Sequence, residues 1–223
     1  MNLTKELFGS VDDYINNLLA PDDDALNAVE QAIIDSGIPQ ISVSRNQGKF
    51  LQVLVKLCGA KNILEVGTLG GYSTIWMARA LAPDGKIVTL EIDAKHADVA
   101  RKNFERAGLA NVIDIRLGKA IDLMPKLKND GEGPFDFIFI DADKPPYAEY
   151  LQLALKLSRP GTLIVVDNVI RGAKVLEANP TDESAKGAAR FNKALAQTPG
   201  VTATIIQTVG AKEHDGMALI VVN

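Results

Sequence analysis

Phe137-Ile138-Phe139-Ile140-Asp141-Ala142-Asp143-Lys144 is the stretch that decides the fold. Four consecutive apolar residues, aromatic or β-branched, suit a strand covered on both faces, the condition met in a parallel sheet. The polar run that follows marks the strand's carboxyl end. Outward from it, strand, glycine turn and helix repeat from Lys61 onward. Strands are predicted over 62–66, 86–92, 112–117, 135–140 and 161–166, and helices over 73–81, 94–107, 121–127, 146–157 and 183–196. That alternation predicts a right-handed, doubly wound α/β sheet.

The end of the chain breaks the pattern. Strand-like runs over 201–209 and 217–222 are separated by only seven residues, 210–216, too few for a crossover helix. They are expected to form an antiparallel hairpin closing a mostly parallel, seven-stranded sheet. Residues 1–60 read as helical. Pro21-Asp22-Asp23-Asp24 supplies a helix start that complements the dipole, with Ala25, Leu26, Val29, Ala32 and Ile33 at helical spacing behind it. Gly37-Ile38-Pro39 ends that helix. Ser44 is the expected N-cap of another, with Phe50, Leu51, Leu54, Val55 and Cys58 along one side. The chain is therefore expected to be one domain, a helical cap over 1–60 on a core over 61–223. Cys58 is expected to be a small buried hydrophobe and Trp76 to pack between helix and sheet.

Composition narrows the function. With 24 basic and 28 acidic residues the formal charge is −4, against a nucleic-acid partner, and 5% aromatic content argues against a base-stacking platform. A single cysteine excludes an internal disulfide and fits a reducing, cytoplasmic setting. With only His96 and His214 beside it, a Cys/His zinc cluster is out of reach, so any metal must be held by oxygen. The first residues lack the basic and apolar regions of a signal peptide, and apolar runs such as 163–166 are too short to cross a membrane.

In an open α/β sheet, ligands bind beyond the carboxyl ends of the strands. The first strand runs into Gly67-Thr68-Leu69-Gly70-Gly71, a tight turn open to close approach, although its spacing is not that of the nicotinamide fingerprint. Glu91, ending the second strand, can accept both hydroxyls of a ribose. Asp141 ends the fourth strand, and Asp167-Asn168 ends the fifth. If these strands are neighbours, two carboxylates and an amide oxygen converge, a hard donor set suited to Mg²⁺, Mn²⁺ or Ca²⁺. Lys144, three residues beyond Asp141, is a candidate general base. His96 and His214 read as incidental.

These residues resemble those of the cation-dependent class I O-methyltransferases, the family of catechol and caffeoyl-CoA O-methyltransferases. The resemblance runs from about residue 41 to 223 and is carried by ISVSRNQGKFLQVLVKL, NILEVGTLGGYST, FDFIFIDADKPPY and VVDNVI. It implies S-adenosylmethionine as methyl donor, with S-adenosylhomocysteine as product, and a homodimer with the N-terminal helices near its interface. It places Glu65, Gly67, Thr68 and Ser73 at the methionine end, Glu91 on the ribose, Ala120 by the adenine and Asp143 on the cofactor. It makes Asp141, Asp167 and Asn168 the ligands of a divalent cation, Mg²⁺ foremost, and Lys144 the catalytic lysine. Val43 replaces a cofactor-contacting threonine of the plant enzymes, and Gly172 a substrate-contacting asparagine. The first 40 residues and the loop 171–182 match poorly and are expected to shape the acceptor pocket.

The activity implied is methylation of a vicinal diphenol. Two rivals stand beside it. A NAD-dependent oxidoreductase would use the same glycine turn and Glu91, but the terminal hairpin and the oxygen cluster speak against it. A non-catalytic ligand-binding domain would not need Lys144 and three oxygen ligands together.

Overall fold

The computed structural model describes residues 5–21, 23–212 and 214–223. Three helices, α1 (Lys5–Leu19), α2 (Asp24–Asp35) and α3 (Arg45–Cys58), precede the first strand. Asp23 caps α2, its carboxylate accepting the amides of Ala25 and Leu26 at 3.0 and 3.1 Å while Arg79 grips it from α4 (Tyr72–Ala78). Asp24 opens the helix; the Asp22 of the predicted start lies outside the described residues. Ser44 caps α3 as expected. Its hydroxyl accepts the Gln47 amide, and the Gln47 side chain accepts the Ser44 amide in return.

One packing expectation needs correction. Leu51, Leu54 and Val55 are buried, but Cys58 is exposed, because the final turn of α3 runs past the core before Gly59 reverses the chain in a left-handed conformation. Trp76 is buried in the core on this face of the sheet and also meets α3. A side chain at Gly48 would overlap its ring.

Around α4 lie β1 (Asn62–Val66), β2 (Lys86–Glu91), α5 (Ala94–Arg106), β3 (Ile113–Leu117), α6 (Ala120–Asn129), β4 (Phe135–Ile140), α7 (Tyr147–Lys156) and β5 (Ser158–Val166). Then follow α8 (Glu183–Ala196), β6 (Val201–Thr208) and β7 (Asp215–Val222). The seven strands are ordered β3-β2-β1-β4-β5-β7-β6, and β7 runs antiparallel to both its neighbours, as the short connection requires. β5 begins three residues before the predicted start. Ser158 pairs with Phe135, the register then shifts, and Leu163 pairs with Phe137. Thr162 bridges the irregularity, donating to the Phe135 carbonyl at 2.7 Å and accepting the Arg159 amide at 3.0 Å.

Alternate residues of each strand feed two cores. Ile63, Ile87, Phe137, Phe139 and Val165 face α2, α3, α4 and α5; Leu64, Val66, Ile138, Ile140 and Ile164 face α6, α7 and α8. The chain winds outward from β1 to β3, then returns to β4 on the other side of β1, so the crevice opens at the carboxyl ends of β1 and β4. No helix among the described residues is long and apolar enough to cross a membrane.

Candidate active site

The two strand tips at the crevice lie almost in contact. A Cβ at Gly67, whose φ is +98°, would collide with the Asp141 carbonyl. The Asp141 amide continues the ladder to the Val66 carbonyl at 2.9 Å, and the Asp167 amide does the same to Ile140 at 3.0 Å. Backbone pairing thus carries the ends of β1, β4 and β5 to one place.

On the β1–β2 side, two acids hold the glycine turn. Glu91 accepts the amides of Thr68 and Leu69 on one oxygen, at 3.2 and 2.7 Å, and those of Ile92 and Asp93 on the other, both at 2.9 Å. Glu65 is fully buried and accepts the hydroxyls of Ser73, Thr74 and Thr89 at 2.6, 2.5 and 2.6 Å. Because Thr89 donates to Glu65, Thr68 is the donor in the 2.7 Å contact between the two threonines. Burial pushes the Glu65 carboxyl up to about 7; the three hydroxyls oppose this and the Asp141 charge adds to it.

A cleft of about 760 Å³ opens over this turn. Gly67, Thr68, Ser73, Glu91, Ala120, Asp141, Asp143, Lys144 and Asn168 all line it, as does the half-predicted Val43. Glu65 does not. It stands behind Ser73 and reaches the cleft through that hydroxyl. Asp143 accepts the Tyr150 hydroxyl at 2.8 Å. A second cavity of about 1010 Å³ is lined by Asp141, Asp167 and Asn168 together with Asp12 of α1, Gly172 and residues 206–212 at the end of β6 and beyond it. Asp141 and Asn168 belong to both, so the two cavities meet at the oxygen cluster.

The cluster itself is short of positive charge. Lys144 Nζ lies 2.7 Å from Asp141 Oδ1 and 5.1 Å from the centre of the Tyr147 ring. Asp167 is 2% exposed, accepts the Asn168 amide at 2.8 Å, and forms no ion pair with a Lys or Arg among the described residues. Burial first, and the Asp141 charge second, push its carboxyl well above the usual range. Asn168 adopts φ +58°, a conformation Asn tolerates, directly after it. Among the described residues no group of three or more His, Cys, Asp or Glu converges as a metal cluster; the donor set here is two carboxylates and an amide. A buried carboxylate beside a second one, with one lysine between them, fits a hard divalent cation.

Several residues facing these cavities lie outside the site residues that the sequence singled out. His96, set aside as incidental, lines the first cleft with Nδ1 3.6 Å from Glu91 Oε1. Arg171 lines both cavities. Asp215 accepts the amides of Ile170 and Arg171 at 2.9 and 2.8 Å and so fixes the loop leaving Asn168. His214 lines the second cavity beside Gln207, its ring nitrogen 2.9 Å from the amide oxygen.

Comparison with known proteins agrees with this geometry. The profile of the O-methyltransferase family matches residues 17–222. The chain is 61% identical to the catechol O-methyltransferase of Niastella koreensis, over 99% of its own length and 100% of the relative's. It is 48% identical to that of Mycobacterium tuberculosis, over 95% and 94%. An O-methyltransferase from Bacillus cereus, solved in complex with SAH, superposes with a TM-score of 0.97 at 48% identity, covering 99% of this chain and 100% of that one. The O-methyltransferase TomG from Streptomyces achromogenes, solved with SAM, gives 0.95 at 44%, covering both chains fully. The chain belongs to the O-methyltransferase family, as an S-adenosylmethionine-dependent class I enzyme of the group that contains the catechol and caffeoyl-CoA O-methyltransferases.

Proposed function

We propose that this O-methyltransferase moves the methyl group of S-adenosylmethionine to one hydroxyl of a vicinal diphenol, with a divalent cation, Mg²⁺ foremost and Mn²⁺ or Ca²⁺ as substitutes, held by Asp141, Asp167 and Asn168. The observation that carries the reading is the meeting of two cavities at Asp141 and Asn168, one over the glycine turn and the other open to the acceptor. The catechol O-methyltransferase names of the relatives support the acceptor class.

In this reading Gly67, Thr68 and Ser73 receive the methionine end of the donor, with Glu65 orienting Ser73 from behind. Glu91 takes the ribose hydroxyls while holding the turn, and Ala120 and Asp143 close the cleft around the rest. A free phenol ionises near pH 10, roughly, so little phenolate exists at neutral pH; a chelated divalent cation would supply the charge that stabilises the anion. Lys144, held over the Tyr147 ring beside Asp141, takes the proton of the hydroxyl to be methylated. Asp141 is placed to serve as ligand and to orient Lys144 at once. The buried walls exclude water and hold donor and acceptor in line, which supplies most of the acceleration because the sulfonium donor is already activated.

The single-domain organisation, with 1–60 as cap, and a cytoplasmic location belong to the same reading. So does a homodimer through the N-terminal helices, supported by the exposed Val11, Tyr14 and Leu18 along α1. The test of the activity is mass spectrometry of products from a panel of vicinal diphenols with S-adenosylmethionine and Mg²⁺, with and without EDTA. Monomethylated products lost on chelation are expected. Full turnover in EDTA would overturn the cation, and silence across the panel would overturn the acceptor.

A further inference from the structure

The loop leaving Asn168 carries a feature that methyl transfer itself does not need. Arg171, Gly172 and Ala173 take φ values of +56°, +61° and +66°, so two residues with side chains stand in a left-handed conformation in succession. Such backbone is costly and persists only where its surroundings hold it. Here Asp215 holds it through the Ile170 and Arg171 amides, and the Gly172 amide donates to the His214 carbonyl at 3.0 Å. What this clamp displays is the Arg171 side chain, 30% exposed and lining both cavities.

Its guanidinium is incompletely engaged. Nη1 lies 3.8 Å from Asp215 Oδ2, beyond hydrogen-bond reach, and Nε is buried without a hydrogen-bond partner among the described residues. Three other buried side-chain atoms share that state, on Asn16, Trp76 and Asn192, but those residues line neither cavity. The exposed part of the Arg171 side chain is therefore its Nη1–Nη2 end, and that planar fork matches a carboxylate with two parallel hydrogen bonds.

We infer that Arg171 is a specificity-determining residue that binds a carboxylate on the acceptor, so that the preferred substrates are diphenols carrying an acidic substituent. The inference rests on the diphenol reading above. Two ligands could bring a carboxylate here, the acceptor or the methionine end of the donor. The acceptor is assigned because Arg171 shares its loop with Gly172 and Lys174, which line the second cavity and not the first, on the far side of the cluster from the glycine turn.

The test compares 3,4-dihydroxybenzoate with its methyl ester, at saturating S-adenosylmethionine and Mg²⁺, in the wild type and in Arg171→Gln. The wild type should favour the acid in kcat/KM by about ten- to a hundredfold, the scale of a charge-assisted bidentate contact. In Arg171→Gln the ratio should fall to about one, with KM for S-adenosylmethionine unchanged. A wild-type ratio near one, or a ratio that survives the substitution, overturns the inference. A rise in KM for S-adenosylmethionine with the acid-to-ester ratio intact places the fork on the donor and overturns it too. If neither compound is methylated, the diphenol reading itself fails, a result distinct from equal turnover of both.

Discussion

Two pairs of acids stand at the same crevice and are treated in opposite ways by the protein. Glu65 and Glu91, on the β1–β2 side, are served by the chain itself: three hydroxyls on one, four backbone amides on the other. Asp141 and Asp167, on the β4–β5 side, have one lysine and one amide between their side chains. A buried carboxylate as poorly served as Asp167 is costly unless charge arrives from outside. The difference teaches a division of labour. The first pair is finished at folding and shapes a turn; on the proposed reading, the second would be finished only when a cation binds.

The sharpest way to break the contrast is to deny the second pair the proposed cation. Chelation, or Asp167→Asn, should lower diphenol methylation by about a thousandfold, the several kcal/mol a Lewis acid contributes, as read by product mass spectrometry. Mg²⁺ should raise the melting temperature of the wild type and leave that of Asp141→Asn/Asp167→Asn unmoved; an equal rise in both would erase the distinction between the two pairs. Next in size, Lys144→Met should cut kcat by about a hundredfold or more, the usual scale of general-base loss, with KM for S-adenosylmethionine held constant in steady-state assays.

The first pair makes a prediction about pH instead. The folded state holds the Glu65 proton more tightly than the unfolded chain does, at about 7 against 4.5. Its favourable contribution is therefore present below pH 4.5 and is lost as pH climbs towards 7. Denaturant titrations of the wild type and Glu65→Gln should show their stability difference shrinking by about 3 kcal/mol across that window. A difference independent of pH would mean that Glu65 is ionised throughout. The smallest effect is expected away from both pairs. Asp12 of α1, a buried carboxylate, accepts the Ala211 amide at 2.7 Å and so ties the N-terminal helix to the wall of the second cavity. Asp12→Ala should destabilise by about 1–3 kcal/mol in chemical denaturation and should raise KM for the acceptor more than for the donor.

How much of this was legible in the sequence follows the same divide. Strand positions could be read because continuous apolar runs such as Phe137–Ile140 leave few alternatives, and the hairpin because 210–216 is too short for a crossover. Asp141, Asp167, Asn168 and Lys144 could be singled out because strand ends are where an α/β sheet binds ligands. What escaped was whatever depends on contacts between distant segments. The predicted strand starts at Gly161, yet β5 starts at Ser158, because Thr162 bonds across to the Phe135 carbonyl. Helical spacing put Cys58 with Leu54 and Val55, but spacing does not reveal where the core stops beneath a helix. Asp215 and Arg171 gave no local signal, since one matters through the backbone it clamps 44 residues away and the other through a left-handed turn that side chains disfavour.

Gly67 sets a gauge for the whole catalytic centre. Room for a hydrogen and nothing larger separates its α-carbon from the carbonyl of Asp141, so the spacing between the tips of β1 and β4 is set by the sheet and not by any loop. On the proposed reading, changes confined to the rim between 171 and 182 would alter which molecule is accepted while leaving that spacing untouched, whereas a single added carbon at position 67 would push the two strand tips apart.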